Sequence, residues 1–297
     1  MDISKVGSRG VVFTFYDLST ENYYCPTNVY VINGEEHIFV CDTFLGTDSM
    51  KGVIEYIESN FKRKPIVVFN SHYDYDHHWG NCAFQAEMIL GHNKCKAKID
   101  EQGQKDLEEY KKYIRGEVIL TPPDKLFEKE IKFEVDQVKF FHSPGHTEDS
   151  SSCIDLKDMI LFVADNVEDP VPYIRSNLDG IKQYVKTLKD YLKLDWDTLI
   201  PGHGTITDKT LLLSNLEYLE AFPKLAKPFD LDEYGPQYYH IHLHNLSTLA
   251  SIYEKEGQKD KAIRYYQDLL DLAIEHNILK VEPLDKIKDK IDSLKSK

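Results

Sequence analysis

The chain has 297 residues, 41% of them hydrophobic and 12% aromatic, enough for one sizeable core and a smaller second unit. Its 36 Lys and Arg against 50 Asp and Glu leave a net charge of −14. No run of basic residues reverses that locally, so nucleic acid and anionic membrane surfaces are poor partners. No apolar run reaches the length of a membrane span, and the opening residues Met1 to Lys5 carry no apolar signal-peptide core. Five cysteines, Cys25, Cys41, Cys82, Cys95 and Cys153, form no CxxC pair, which fits a reducing cytoplasm better than a disulfide scaffold.

In chain order, Val11 to Phe15 and Asn28 to Asn33 read as strands, and the turn Asn33-Gly34-Glu35-Glu36 joins the second to a strand at His37 to Cys41. Val53, Ile54, Ile57 and Phe61 share one side of a helix expected over Asp48 to Phe61. After Pro65, Ile66 to Phe69 is a short apolar run with the composition of a strand buried on both faces. Met88 to Leu90 follows, then a charged helical stretch to Tyr113. Strand signals come next at Val118 to Leu120, Ile131 to Val135, Val138 to Phe141, Ser152 to Leu156 and Met159 to Val163. A helix is expected over Gly180 to Leu192 and a last strand at Thr198 to Ile200. Hairpins mixed with helices indicate a layered α/β (α+β) protein.

From Lys209 on, every long segment is helical in pattern, interrupted by a loop holding Pro223, Pro228, Gly235 and Pro236. Leu246, Leu249, Ala250 and Tyr253, then Gly257, then Ala262 and Tyr266 have the spacing of one tetratricopeptide-like repeat. A helical hairpin with small residues at its crossing explains the same pattern. A lone repeat cannot form a solenoid, so it is expected to pack on the main domain or to pair two subunits as a homodimer.

The chemistry concentrates in Asn70-Ser71-His72-Tyr73-Asp74-Tyr75-Asp76-His77-His78-Trp79-Gly80-Asn81, directly after the buried strand. His72, Asp74, Asp76 and His77 supply nitrogen and oxygen donors that zinc, iron or manganese accept. One such loop is also what a solvated turn looks like. Three later strands, however, end the same way: Phe140-Phe141 runs into His142-Ser143-Pro144-Gly145-His146-Thr147, Ile160 to Ala164 into Asp165, and Thr198 to Ile200 into Pro201-Gly202-His203-Gly204.

With these segments in this order, the sequence resembles the metallo-β-lactamase superfamily, whose pattern is HxHxDH, a GHT-type His, an Asp and a GHG-type His. The likeness runs from residue 10 to about 225, and Asn28-x-Tyr30-x-Ile32 with Val40-x-Asp42 looks like the family's opening hairpin. It implies a four-layer αββα sandwich with a C-terminal helical extension, divided as a catalytic domain over 1–225 and a helical, tetratricopeptide-like unit over 226–297. By the same resemblance His72 and His146 hold a first divalent metal ion, Asp76, His77 and His203 a second, and Asp165 bridges the two. Zinc is the first expectation, with iron or manganese as alternatives.

Asp74 departs from the pattern, standing where the family has its second His. A carboxylate there adds negative charge and hardens the first site towards iron or manganese, so Asp74→His is expected to raise zinc retention relative to iron. Flavodiiron relatives carry a carboxylate at this position in an HxExD pattern, and their spacing from the GHT-type His to the bridging Asp is like the 19 residues between His146 and Asp165 here. The sequence shows no flavodoxin module, and Asp is not Glu. Two activities therefore stay open. One is a hydrolase in which a metal-bridging hydroxide, oriented by Asp76, attacks a small ester, lactone or thioester. The other is a diiron protein acting on oxygen or nitric oxide.

Asp42 is expected to accept hydrogen bonds from the metal loop. Tyr73, Tyr173 and Arg175 are candidate substrate contacts, the last two from the loop that follows Asp165. Tyr75 and Trp79 have packing as the commoner fate of aromatics. Cys82 sits nearer an apolar stretch than a ligand position. His240, His242 and His244 are read as exposed helix residues in preference to a second metal site.

Overall fold

A computed structural model describes residues 1–20, 24–222, 235–276 and 284–296. Its framework is two sheets packed face to face. The first has seven strands in sequential order: β1 (Asp2–Val6), β2 (Gly10–Phe15), β3 (Thr27–Asn33), β4 (Ile38–Cys41), β5 (Ile66–Asn70), β6 (Met88–His92) and β7 (Lys125–Phe127). Pairing is antiparallel from β1 to β4 and parallel from β4 to β7. The second has five strands in the order β12-β11-β10-β9-β8: β8 (Glu130–Phe133), β9 (Val138–His142), β10 (Ser151–Asp155), β11 (Ile160–Ala164) and β12 (Thr198–Pro201).

Side-chain alternation along these strands explains the sandwich. Tyr30, Ile32, Phe39, Cys41, Val67 and Phe69 point inward and meet Phe140, Cys153, Ile160, Phe162 and Ile200 of the opposite sheet. Their neighbours Val29, Val31, Ile38, Val40 and Val68 point outward and are covered by Met50, Val53 and Ile57 of α1 (Thr47–Asn60). Helix α3 (Asn93–Glu109) flanks the same sheet at β6 and β7. On the far side, Leu161, Val163 and Leu199 are covered by α4 (Leu178–Tyr191) and α5 (Lys209–Ala221). Both faces of the central strands are buried, so they read as unbroken apolar runs. The four layers are those expected.

The helices α6 (Gly235–Lys255), α7 (Lys259–Glu275) and α8 (Leu284–Ser296) share one core with α4 and α5. Helices α6 and α7 form the hairpin foreseen from the repeat-like spacing: Ala250 and Ala262 are fully buried at their contact. Gly257 turns the chain between them at φ 74, a left-handed conformation that favours glycine. Pro223, Pro228 and the 225/226 boundary lie outside the described residues. Gly235 and Pro236, expected in a loop, open α6 instead, where a proline in the first turn removes no helical hydrogen bond.

One strand assignment needs correction, and two edge strands go unread in the sequence. Val118 to Leu120 is extended but pairs with no strand; Ile119 N–H is spent on Cys82 Sγ at 3.4 Å, and Val118 and Leu120 pack on the outer face of the first sheet. The strand in that region is β7, an edge strand whose Lys125 and Leu126 are exposed. Strand β1 at the other edge exposes four of its five residues, and so has no apolar pattern to betray it. No helix among the described residues is long and apolar enough to cross a membrane.

Candidate metal centre

Every candidate ligand sits at the C-terminal end of a strand or in the loop that follows it. His72 and Asp74 follow β5, and Asp76 and His77 lie on the single turn α2 (Tyr75–His78). His146 follows β9, Asp165 follows β11 and His203 follows β12. Both sheets thus deliver side chains to one rim. Gly202 is needed there because a Cβ at that position would overlap Asp165 Oδ1.

The donors fall into two neighbouring sets, His72, Asp74, His146 and Asp165 on one side and Asp76, His77 and His203 on the other. Asp74 Oδ2 lies 3.3 Å from His72 Nε2 and 3.4 Å from His146 Nε2. Asp76 Oδ2 lies 3.4 Å from His203 Nε2 and 3.7 Å from His77 Nε2. Asp165 stands between the sets, with Oδ1 3.4 Å from His77 Nε2 and Oδ2 3.4 Å from His203 Nε2 and 3.5 Å from His72 Nε2. All seven residues expected to hold metal are brought together, Asp74 included.

Each imidazole has a polar partner beside its Nδ1 on the outer side, a hydrogen bond for His72, His77 and His203 and an ion-pair distance without a hydrogen bond for His146. Ser71 Oγ donates to Asp42 Oδ2 at 2.7 Å, so it accepts from His72 Nδ1–H at 2.9 Å. His77 Nδ1–H donates to the same Asp42 oxygen at 2.8 Å, and Ser71 N–H donates to Oδ1 at 2.8 Å. Asp42 therefore performs the structural duty foreseen for it, from a left-handed backbone at φ 63. His146 Nδ1 lies 3.2 Å from Glu168 Oε1. His203 Nδ1 lies 3.2 Å from Thr27 Oγ1 and 3.3 Å from Cys25 Sγ. Fixing Nδ1 in this way leaves the Nε2 lone pair facing inward, the arrangement outer partners give to metal-ligating histidines.

The centre fits divalent metal on an observation of its own. His72 Nε2, His77 Nε2 and Asp165 Oδ1 are buried and make no hydrogen bond. Buried polar atoms without partners are rare and costly, and here three of them converge. Electrostatics agree. Burial opposes charge on His146, yet the carboxylates of Asp74, Glu168 and Asp165 push it up to about 10. His77 is also driven well above its ordinary value against burial, chiefly by Asp165 and Asp76. Burial would raise the Asp74 carboxyl, but His146, His72 and Arg175 hold it well below the usual range. Protonated imidazoles and Arg175 supply the counter-charge to the carboxylates here, and two divalent ions would supply it in place of the imidazole protons.

Over the centre opens a cavity of about 360 Å³, lined by Tyr75, Tyr113, Tyr173, Arg175, Leu18 and Cys25 among others. A neighbouring cavity of about 880 Å³ includes Tyr73, His146 and Arg175 in its wall. Arg175 thus borders both: its Nη1 donates to Asp74 Oδ2 and its Nη2 to Tyr73 Oη at 3.0 Å. Tyr173 Oη lies 2.9 Å from His244 Nδ1. Trp79 is buried in the core and Cys82 is spent on Trp79 O and Ile119 N–H.

Sequence reasoning missed what holds the Arg175 loop. Asn245 of α6 accepts from Ile174 N–H at 2.8 Å and donates to Pro172 O at 2.8 Å. Asn215 of α5 accepts from Glu168 N–H at 3.0 Å and donates to Glu168 O at 2.9 Å. Helices α5 and α6 therefore hold in place the loop that lines the cavity. His242 and His244, read as exposed, are drawn into this packing: His242 is buried against Tyr218 and His244 stacks on Tyr173. The three α6 histidines form no metal-binding group among the described residues. Asn245→Ala leaves a buried N–H and C=O unpaired, so a loss of about 2 kcal/mol is expected in chemical denaturation. Faster amide exchange in the 170–175 loop, with unchanged exchange in β5, is the accompanying result.

The metallo-beta-lactamase superfamily model matches residues 22–203. A metallo-beta-lactamase from Pontibacter korlensis superposes with a TM-score of 0.59 at 19% identity, over 74% of this chain and 98% of that one. A metallo-beta-lactamase from Hirschia baltica does so with a TM-score of 0.57 at 17% identity, over 73% and 96%. DIM-1 metallo-beta-lactamase gives 0.55 at 19% identity, over 74% and 96%. Likeness at these identities establishes the fold alone. No curated protein matches the chain. With the family pattern spanning most of its length and its donors gathered at one rim, the chain belongs to the metallo-beta-lactamase superfamily.

Proposed function

We propose that the protein is a dinuclear metal-dependent hydrolase acting on a small ester, lactone, thioester or related molecule. The observation that carries this reading is the convergence of four Nε2 atoms on three carboxylates, with His72 Nε2, His77 Nε2 and Asp165 Oδ1 buried and unpaired. His72, Asp74 and His146 would hold one ion, Asp76, His77 and His203 the other, and Asp165 both. Such a pair, zinc by first choice, supplies a water acidic enough to react near neutral pH and polarises the bond under attack.

The chain's own residues do the rest. Asp76 lies on the floor of the cavity, kept ionised against burial by His77 and His203. It orients the attacking water and accepts its proton. Tyr173 and Arg175 face the same cavity and position the substrate, with Tyr73 behind the guanidinium. The cavity's volume suits a small molecule. A p-nitrophenyl ester, a lactone, a thioester and a phosphodiester, each assayed with and without chelator, test the proposal. Turnover of an ester-type substrate is expected, abolished by chelation, restored by zinc, and reduced about 10²-fold or more in Asp76→Asn. Chelator-insensitive turnover, or none after metal loading, would count against it.

One observation favours the second reading, a diiron protein. Asp74 Oδ2 faces both His72 and His146, so the first set has two carboxylates, a donor mix that suits iron or manganese. Iron in the purified protein with oxygen consumption would select it.

A further inference from the structure

Four carboxylates, Asp74, Asp76, Asp165 and Glu168, line the cavity over the centre, and Arg175 is the only Lys or Arg among its described lining residues. Its guanidinium grips the same Oδ2 of Asp74 that lies 3.3 and 3.4 Å from His72 and His146 Nε2. This is no stray surface contact. Although Arg175 is exposed, its second nitrogen is held by Tyr73 Oη and its loop is pinned by Asn245. Resting on the metal-centre reading above, we infer that Arg175 sets the affinity and metal preference of the first site by offsetting the charge of Asp74. Towards an incoming ion the Asp74–Arg175 pair is then close to a neutral donor, and the hardening expected from the carboxylate alone is held in check.

The consequence for Asp74→His is a loss of first-site affinity for any divalent ion, on top of the shift in preference towards zinc expected from the imidazole. With Arg175 in place, that swap strands a guanidinium beside the ion it must admit. A unit charge within a few ångströms, even well screened, is worth a large change in affinity.

The test is a titration of metal-free full-length protein with zinc alone and with manganese alone, read by calorimetry and elemental analysis. Asp74→His is expected to lose first-site zinc affinity by about tenfold or more, and Asp74→His with Arg175→Gln to return to within about threefold of the parent. Arg175→Gln alone should tighten the first site by about tenfold and raise manganese more than zinc, whereas Arg175→Lys stays near the parent. A merely structural role for Arg175 would give no restoration in the double variant. Zinc binding by Asp74→His at the parent's affinity, or an unchanged first site in Arg175→Gln, overturns the inference while leaving the metal centre intact. A parent protein that takes up no ion overturns both.

Discussion

Asp165→Ala is expected to empty both metal sites at once, cutting bound metal from about two ions per chain to a small fraction of one. The expectation follows from position. Asp165 is the one carboxylate within 3.5 Å of imidazoles in both donor sets, reaching His77 with Oδ1 and His72 and His203 with Oδ2. Each set without it keeps only the donors of a single loop and one further strand end. Asp76→Ala, by contrast, touches His77 and His203 alone, so the first set survives it. Metal-free Asp165→Ala should also be less stable than the metal-free parent. His72 and His77 pack with ring centroids 4.2 Å apart, and Asp165 is a counter-charge to both. Removing one partner of a buried charge cluster costs about 3 kcal/mol. Elemental analysis and denaturation of the two variants side by side check both statements. Retention of one tightly bound ion in Asp165→Ala would show that the carboxylate does not serve both sets.

The second large effect is an opposite response of metal-free and metal-loaded protein to pH. His146 titrates near 10 in the folded metal-free chain and near 6.5 when unfolded. A group raised on folding contributes stability that is complete below its unfolded value and lost as pH climbs through the folded one. His72, His77 and His203 shift in the same direction, with burial opposed by the carboxylates around them and, for His203, by Cys25. Through His146 the metal-free protein should therefore lose stability as pH rises from about 6.5 towards 10, by about 1.4 kcal/mol per pH unit, and the other three histidines act in the same direction. Asp74 and Asp165 are lowered and give the converse, stability that is lost only as pH falls below the usual carboxylate range. Metal binding needs neutral imidazoles, so the loaded protein gains what the metal-free one loses as pH rises. Thermal melts with and without chelator should diverge between pH 6.5 and 9. Parallel curves would mean that these histidines do not bind the ions.

Much of this molecule is legible in the sequence where the signal is local. Strands β3, β4, β5 and β11 announce themselves because both faces are buried, and His72, Asp74, Asp76 and His77 because one loop carries them all. His146, Asp165 and His203 are found because each stands in the polar loop that follows an apolar run. What stays hidden depends on contacts between distant segments. Arg175 meets Asp74 across 101 residues and Asn245 meets Pro172 across 73, with nothing in either neighbourhood to announce the pairing. Glu168 was visible only as part of a loop, and its place against His146 Nδ1 is set by Asn215 on another helix. Cys25 and Thr27 reach His203 for the same reason. The edge strands β1 and β7 fail differently, since exposed strands lack the apolar alternation that marks a buried one.

The metal-dependent centre is tested most directly by elemental analysis of wild-type protein purified with neither added metal nor chelator, with an anaerobic visible spectrum alongside. About two divalent ions per chain is the expected result, zinc favouring the hydrolase and iron with a redox-sensitive spectrum favouring the diiron reading. Protein that contains no metal, and takes up none when soaked in zinc, iron or manganese, would contradict it.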